Sequence, residues 1–322
     1  MGIPNETINP EIRHKAVEIR RVLDVKRERD FRFLQWFIGK SRRFQRTSQL
    51  QFVEKTISTP DNDRLRLCIY RSFEPRPKAV GLLWLHGGGF ALGLPEQTRG
   101  YYRNFIDAIG CVVVAPDYRL SVQAPYPAAF NDCYEALLWM KENADALGIR
   151  DDQLFIGGES AGGGLAVSVA LMARDKGEVN LAFQMPLYPM LDDRMATPSS
   201  QDNDAPIATT KAVAVAWKMY LGGLYGSKDV PAYASPARAT DYSGLPPAYT
   251  FVGDIEMFCD EAKDYISALN AAGVPAEIDV YPGCFHSFDA VCPDAPVSHE
   301  AKEAYLRRLR FAADNYFVAQ PD

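Results

Sequence analysis

The sequence predicts an α/β protein built on a mostly parallel sheet with helices against both faces. Short apolar runs recur along the chain, at 80–85, 111–115, 154–157, 183–187, 248–252 and 276–281. Segments of helical length and spacing lie between them, near 98–109, 128–146, 161–175 and 260–272, with a last one at 298–316. The runs are largely apolar, as strands covered on both sides require, and their alternation with helices is the signature of a parallel sheet.

Ahead of that alternation the chain reads strand, turn, strand: "QFVEKTIS", the turn formers "TPDND", then "RLRLCIYR". Residues 1–50 differ again. They are rich in arginine, place Ile12, Ala16, Ile19 and Leu23 at near-helical spacing, and then gather Phe31, Phe33, Trp36 and Phe37. Two readings compete for a basic amphipathic stretch: a helix lying on a membrane surface, or a helical cap packed on its own protein. The cap is the commoner use and is taken here. The segment 190–235 also breaks the rhythm, with "DDRMATPSSQDND" before a short helical "KAVAVAWKMYLGGLYG". An insertion over the carboxyl edge of the sheet accounts for it, because ligands of open α/β sheets bind there. The domain reading is therefore a cap segment at 1–50 and a main domain at 51–322 with a cap insertion at about 190–225.

Composition narrows the function classes. The chain has 322 residues, 47% hydrophobic and 24% charged, enough for one large domain with a substantial core. A net charge of −6 argues against a nucleic-acid partner. The beginning of the sequence lacks an apolar stretch of signal-peptide length, and no run approaches the ~18 apolar residues of a membrane span, so a cytoplasmic location is expected. Six scattered cysteines without CxxC spacing read as buried, reduced thiols. Four histidines without HExxH spacing give no metal site, and no cofactor motif is present.

Two glycine-rich segments carry chemistry. In "LFIGGESAGGGLAV", Gly158-Glu159-Ser160-Ala161-Gly162 fits G-x-S-x-G between a strand and a helix of small residues. That is the context of a nucleophile elbow, where the central residue takes strained backbone angles and its neighbours two positions away must be tiny. Ser160 Oγ would stand clear of the sheet, with the helix beginning at Ala161 aiming its N–H groups at the same spot. In "LLWLHGGGF", His86-Gly87-Gly88-Gly89 directly follows a strand, and consecutive glycines let backbone N–H groups approach a carbonyl oxygen unobstructed.

Together with "PDYRL" at 116–120 and "PYPAAFND" at 125–132, these motifs resemble the hormone-sensitive-lipase-like (HGGG / GxSAGG) esterases of the α/β-hydrolase superfamily, from about residue 50 onward. The family has Asp where Glu159 stands, and Ala-Pro-Glu where this chain has Ser121-Val122-Gln123. The resemblance implies the α/β-hydrolase fold with a helical cap. It also implies hydrolysis of small carboxylic esters with short to medium acyl chains, oxyanion donors at Gly88, Gly89 and Ala161, and a homodimer through the sheet edge.

Such hydrolases order their triad Ser, acid, His along the chain. His14 and His86 precede Ser160, His86 being placed instead to brace the oxyanion loop, and His299 lies in a helical pattern. His286 remains, just past a strand in "YPGCFHSF". The acid lies within "TFVGDIEMFCDEAKDY". Matching the family's Gly-x-x-Asp-Pro-Leu-x-Asp-Glu by spacing selects Glu256, whereas residue type alone selects Asp254; a triad accepts either acid. Asp260 and Glu261 are expected to cap the next helix. Phe33, Trp36, Phe37, Trp217 and Tyr220 are candidate pocket walls or packing. Alternatives with the same machinery are a deacetylase or amidase and a lactone hydrolase. A non-catalytic ligand-binding member of the fold is the remaining one, which can lose the histidine that this chain keeps.

Overall fold

The computed structural model describes residues 3–22, 25–41 and 50–321. Leu23 of the N-terminal apolar stripe lies outside the described residues, as does 42–49, the end of the expected cap segment.

Among the described residues, eight strands form one sheet in the order β1-β2-β4-β3-β5-β6-β7-β8. β1 (Gln51–Thr59) and β2 (Asn62–Arg71) form an antiparallel hairpin, and β2 pairs antiparallel with β4 (Val112–Pro116). All later pairings are parallel: β3 (Ala79–Leu85), β5 (Ile149–Glu159), β6 (Phe183–Leu187), β7 (Ala248–Gly253) and β8 (Ala276–Tyr281). Every residue of β3, β4, β6 and β7 is buried, as strands covered on both faces must be.

The helices are α1 (Arg13–Val22), α2 (Glu28–Ser41), α3 (Arg99–Ile109), α4 (Ala128–Glu142), α5 (Ala144–Leu147), α6 (Ala161–Lys176), α7 (Thr210–Leu221), α8 (Cys259–Ala271), α9 (Phe288–Val291) and α10 (Pro296–Asn315). They divide the core into two layers. One is built around α4 and α6, with Leu83, Leu85, Val114, Phe130, Leu137 and Leu165. The other is built around α3 and α10, with Trp84, Phe105, Phe155, Phe251, Tyr305 and Leu309. Burying a side chain of this size contributes about 1.5–3 kcal/mol, so the two layers hold the sheet rigid beneath the site.

The structure differs from the sequence reading in two boundaries. The helix expected over 128–146 breaks at Asn143, whose backbone leaves helical geometry, giving α4 and α5. β5 begins at Ile149 and not 154, because Ile149 pairs with Ala79 before a register shift. Polar alternation in "IRDDQ" hides that first part of the strand.

The motifs "PDYRL" and "PAAFND" turn out to be braces. Arg119 grips Asp132 at the start of α4, with Nη2 2.8 Å from Oδ1, and the carboxylate also accepts the Arg119 backbone N–H at 2.8 Å. Asp117 and Glu96 share the buried guanidinium of Arg66, at 2.9 and 2.8 Å. Tyr118 stacks on His86 with ring centroids 4.3 Å apart and donates to its carbonyl at 2.6 Å. Gln123, where the resemblance led one to expect a carboxylate, accepts the Leu120 N–H at 2.8 Å. All six cysteines are buried free thiols. Among the described residues no helix is long and apolar enough to cross a membrane.

Candidate active site

Strand β5 runs into α6 through Ser160, whose φ of 58° and ψ of −121° lie where side-chain-bearing residues rarely go. Such a conformation costs about 1–3 kcal/mol and must be held by its surroundings. The Ser160 N–H donates to Leu187 O at 3.0 Å, and its carbonyl accepts from Gly164 and Met190 N–H, each at 3.0 Å. The glycines two positions away are required by contact with β3. A Cβ on Gly162 would sit 2.1 Å from Leu85 O, and one on Gly158 2.4 Å from the same oxygen.

The loop after β3 lies against this elbow. Gly88 has φ +117°, and a Cβ there would meet Leu92 O at 2.2 Å. Glu159 clamps the loop from below: Oε1 accepts the Gly87 N–H at 2.9 Å and Oε2 the indole N–H of Trp84 at 2.6 Å. Burial pushes its carboxyl up to about 8, against the pull of those two donors. Among the described residues, the N–H groups of Gly88, Gly89 and Ala161 have no acceptor. His86 lies on this loop, its Nδ1 2.8 Å from Gly87 O, and burial pulls its pKa down, which keeps the ring neutral.

Strand β8 ends in a loop that carries His286 back over the sheet. That loop crosses β7 so closely that a Cβ on Gly253 would fall 1.9 Å from Cys284 O. His286 is buried, with Nε2 2.8 Å from Ser160 Oγ and Nδ1 2.9 Å from Glu256 Oε1. Glu256 Oε2 accepts the Gly253 N–H at 3.2 Å, and the side chain is wholly enclosed. A carboxylate only accepts hydrogen bonds, so Nδ1 carries the ring proton and Nε2 is left to accept from the serine hydroxyl. The rings of Tyr188 and Phe258 stand edge-on to His286 at 4.9 and 5.0 Å, fixing its plane. Behind Tyr188 lies a buried polar cluster. Tyr188 and Tyr101 share a hydrogen bond of 2.7 Å, Tyr101 donates to Asp289, and burial raises the Asp289 carboxyl to about 6.

The structure thus brings Ser160, His286 and Glu256 together and leaves the alternative acid out. Asp254 points to the neighbouring loop, where Oδ1 accepts the Gly283 N–H at 2.6 Å. The expected capping of α8 by Asp260 and Glu261 is corrected: the N-cap residue Phe258 makes no side-chain cap bond, and Ser199 Oγ accepts the Asp260 N–H at 3.1 Å. Asp260 instead accepts the Ser199 N–H at 2.8 Å, and Glu261 accepts those of Leu191 and Asp192 at 3.0 and 2.6 Å. Both hold the segment between β6 and α7, pairing with its backbone N–H groups at Leu191, Asp192 and Ser199. Of the five aromatics read as pocket walls or packing, two pack in the interior and three are exposed. Trp217 and Tyr220 are fully buried against Phe90, at 5.2 and 3.9 Å, and Phe33, Trp36 and Phe37 face outward. Against Gly89 stand Ala216 and Phe31. Sequence reasoning missed Tyr188 and Phe258; the signal for Tyr188 was an aromatic directly past a strand's carboxyl end. Among the described residues no cluster of His, Cys, Asp and Glu has the geometry of a metal site.

Known proteins resemble this chain in sequence and in overall fold. A bacterial heroin esterase superposes with a TM-score of 0.87 at 31% identity, over 96% of this chain and 98% of that one. The esterase LipI of Mycobacterium tuberculosis is 34% identical over 234 residues, 72% of this chain and 73% of LipI. The ethyl acetate hydrolase of Pseudomonas putida is 29% identical over 236 residues, 72% of this chain and 74% of that protein. A family model described as the alpha/beta hydrolase fold matches residues 82–290, and the chain belongs to that family.

Proposed function

We propose that this chain is a serine carboxylesterase acting through an acyl-enzyme on Ser160. The observation that carries the reading is the unbroken line of hydrogen bonds from Glu256 through His286 to Ser160, beside three N–H groups without acceptors. In the first step Ser160 Oγ attacks an ester carbonyl while His286 Nε2 takes its proton. Glu256 holds the ring in the needed tautomer and stabilises the imidazolium. The oxyanion is received by the N–H groups of Gly88, Gly89 and Ala161, and losing one such donor typically costs about 10²–10³ in turnover. His286 then protonates the departing alcohol, activates water, and the acid is released.

Helices α2 and α7 form the cap in this reading. Phe31 and Ala216 close on Gly89, and Phe90, Trp217 and Tyr220 fill the cap interior. Aromatic filling of this kind favours short to medium acyl chains, as does similarity to a protein named ethyl acetate hydrolase. The test is steady-state kinetics on p-nitrophenyl esters from acetate to palmitate. Hydrolysis with kcat/KM greatest at acetate to hexanoate is expected. A maximum at palmitate would overturn the chain-length reading, and no turnover of any ester would overturn the esterase.

A further inference from the structure

Helix α2 has two apolar faces, and the fold uses one. On the inner face Phe31 is buried against Gly89, and Gln35 exchanges two hydrogen bonds with the Gly93 backbone, at 2.8 and 3.1 Å. On the outer face Phe33, Trp36 and Phe37 are 65%, 57% and 64% exposed. Their spacing makes one stripe along the helix. Phe33 stacks on Trp36, and the Lys40 ammonium sits 3.8 Å over the Trp36 ring. A cap helix that met only water on that side would present polar residues there.

The charge around the stripe is equally one-sided. Residues 25–41 hold five Lys or Arg against two acids, on a chain whose net charge is −6. Exposed aromatics bordered by cations are the composition of a helix that lies in a lipid–water interface: the rings settle at headgroup depth and the cations meet anionic lipid. A second copy is a poor match, because a two-fold contact through this stripe would set like charges against each other. Because α2 covers the loop of Gly88 and Gly89, a surface docked there lies beside the site.

We propose that the outer face of α2 docks the protein onto an anionic lipid surface. The inference concerns binding and stands apart from the esterase reading, since it needs no turnover to be tested. The experiment is co-sedimentation of the full chain with extruded vesicles of phosphatidylcholine alone or mixed with phosphatidylglycerol, at low and high salt. The wild type is expected to sediment with the anionic vesicles and to be released by salt. The triple variant F33S/W36S/F37S should lose at least tenfold in partition coefficient while its far-ultraviolet spectrum and melting temperature stay the same. K40Q should lose about fivefold, the worth of one cation near an anionic surface.

Three results would overturn the proposal. The wild type could ignore anionic vesicles, or the triple variant could sediment as well as the wild type. The wild type could instead self-associate without vesicle binding and become monomeric in the triple variant, which would assign the stripe to a second copy. A protein that sediments yet hydrolyses no ester would sink only the esterase reading.

Discussion

Exchanging Glu256 for Gln separates the two candidate acids, and the structure fixes the size of the effect. Glu256 is enclosed, with Oε1 on His286 Nδ1 and Oε2 on the Gly253 N–H. A glutamine has one oxygen for these two donors. Turning its oxygen to Gly253 leaves its NH₂ facing Nδ1, which then must be the unprotonated nitrogen. Nε2 gains the proton and cannot accept from Ser160. Turning it the other way opposes two buried donors at Gly253, costing about 1–3 kcal/mol, so the productive orientation is populated roughly one time in five to one in a hundred and fifty. The missing negative charge on the imidazolium adds to that, and loss of a triad carboxylate in such systems reaches about 10⁴ in turnover. E256Q should therefore lose about 10³–10⁴ in kcat with a folded spectrum. Asp254→Asn keeps a carbonyl oxygen for the Gly283 N–H and should lose less than about tenfold, since its bond is backbone bracing. Kinetics on p-nitrophenyl acetate, with thermal melts alongside, give both numbers. If D254N lost as much as E256Q, or E256Q kept a tenth of wild-type turnover, the assignment of Glu256 would be wrong.

Other expectations follow from single contacts. The Glu159 carboxyl, ordinarily near 4.5, is raised by burial to about 8, so between those values the folded protein holds a proton that the unfolded chain has released. Its contribution is present at low pH and is lost as pH rises through about 8. E159Q removes that titration, so its melting temperature relative to wild type should climb between pH 5 and 8; a flat difference would contradict the burial argument. Gly162→Ala puts a methyl 2.1 Å from one backbone carbonyl and 2.5 Å from another, neither able to yield. It should cost about 3 kcal/mol or more and at least a hundredfold in turnover, and a melting temperature within about 2 °C of wild type would refute the contact. Gly283, at φ +68°, accepts the Asn9 N–H at 2.8 Å, and a Cβ there would strike that nitrogen at 2.6 Å. Gly283→Ala should detach the N-terminal segment from the loop of His286, lowering both melting temperature and kcat. A change in neither would show that the segment is not what holds that loop.

The sheet was legible because its strands are short apolar runs bounded by turns, and the elbow because its glycines answer to backbone carbonyls that no side chain could avoid. Glu256 is selected over Asp254 by matching the family's spacing from Gly253 to Asp260-Glu261, and it is the Glu256 carboxylate that lies against His286 Nδ1. What escaped was set by tertiary contact. Glu261 reads locally as a helix cap, yet the segment after β6 has more need of its oxygens. Trp217 reads as packing or pocket wall, and only the fold sets it against Phe90. The aromatic cluster of α2 splits between two faces, and only the fold reveals that Phe31 turns inward while Phe33, Trp36 and Phe37 turn out.

Labelling by diethyl p-nitrophenyl phosphate tests the central claim most directly, because the reagent phosphorylates a hydroxyl only where an adjacent base has activated it. Intact-protein mass spectrometry should find one diethylphosphoryl group per chain, peptide mapping should place it on Ser160, and hydrolysis of p-nitrophenyl acetate should fall in step with its incorporation. Ser160→Ala should take up none. Full activity in an unlabelled protein, or a label on another residue that tracks inactivation, would contradict the account.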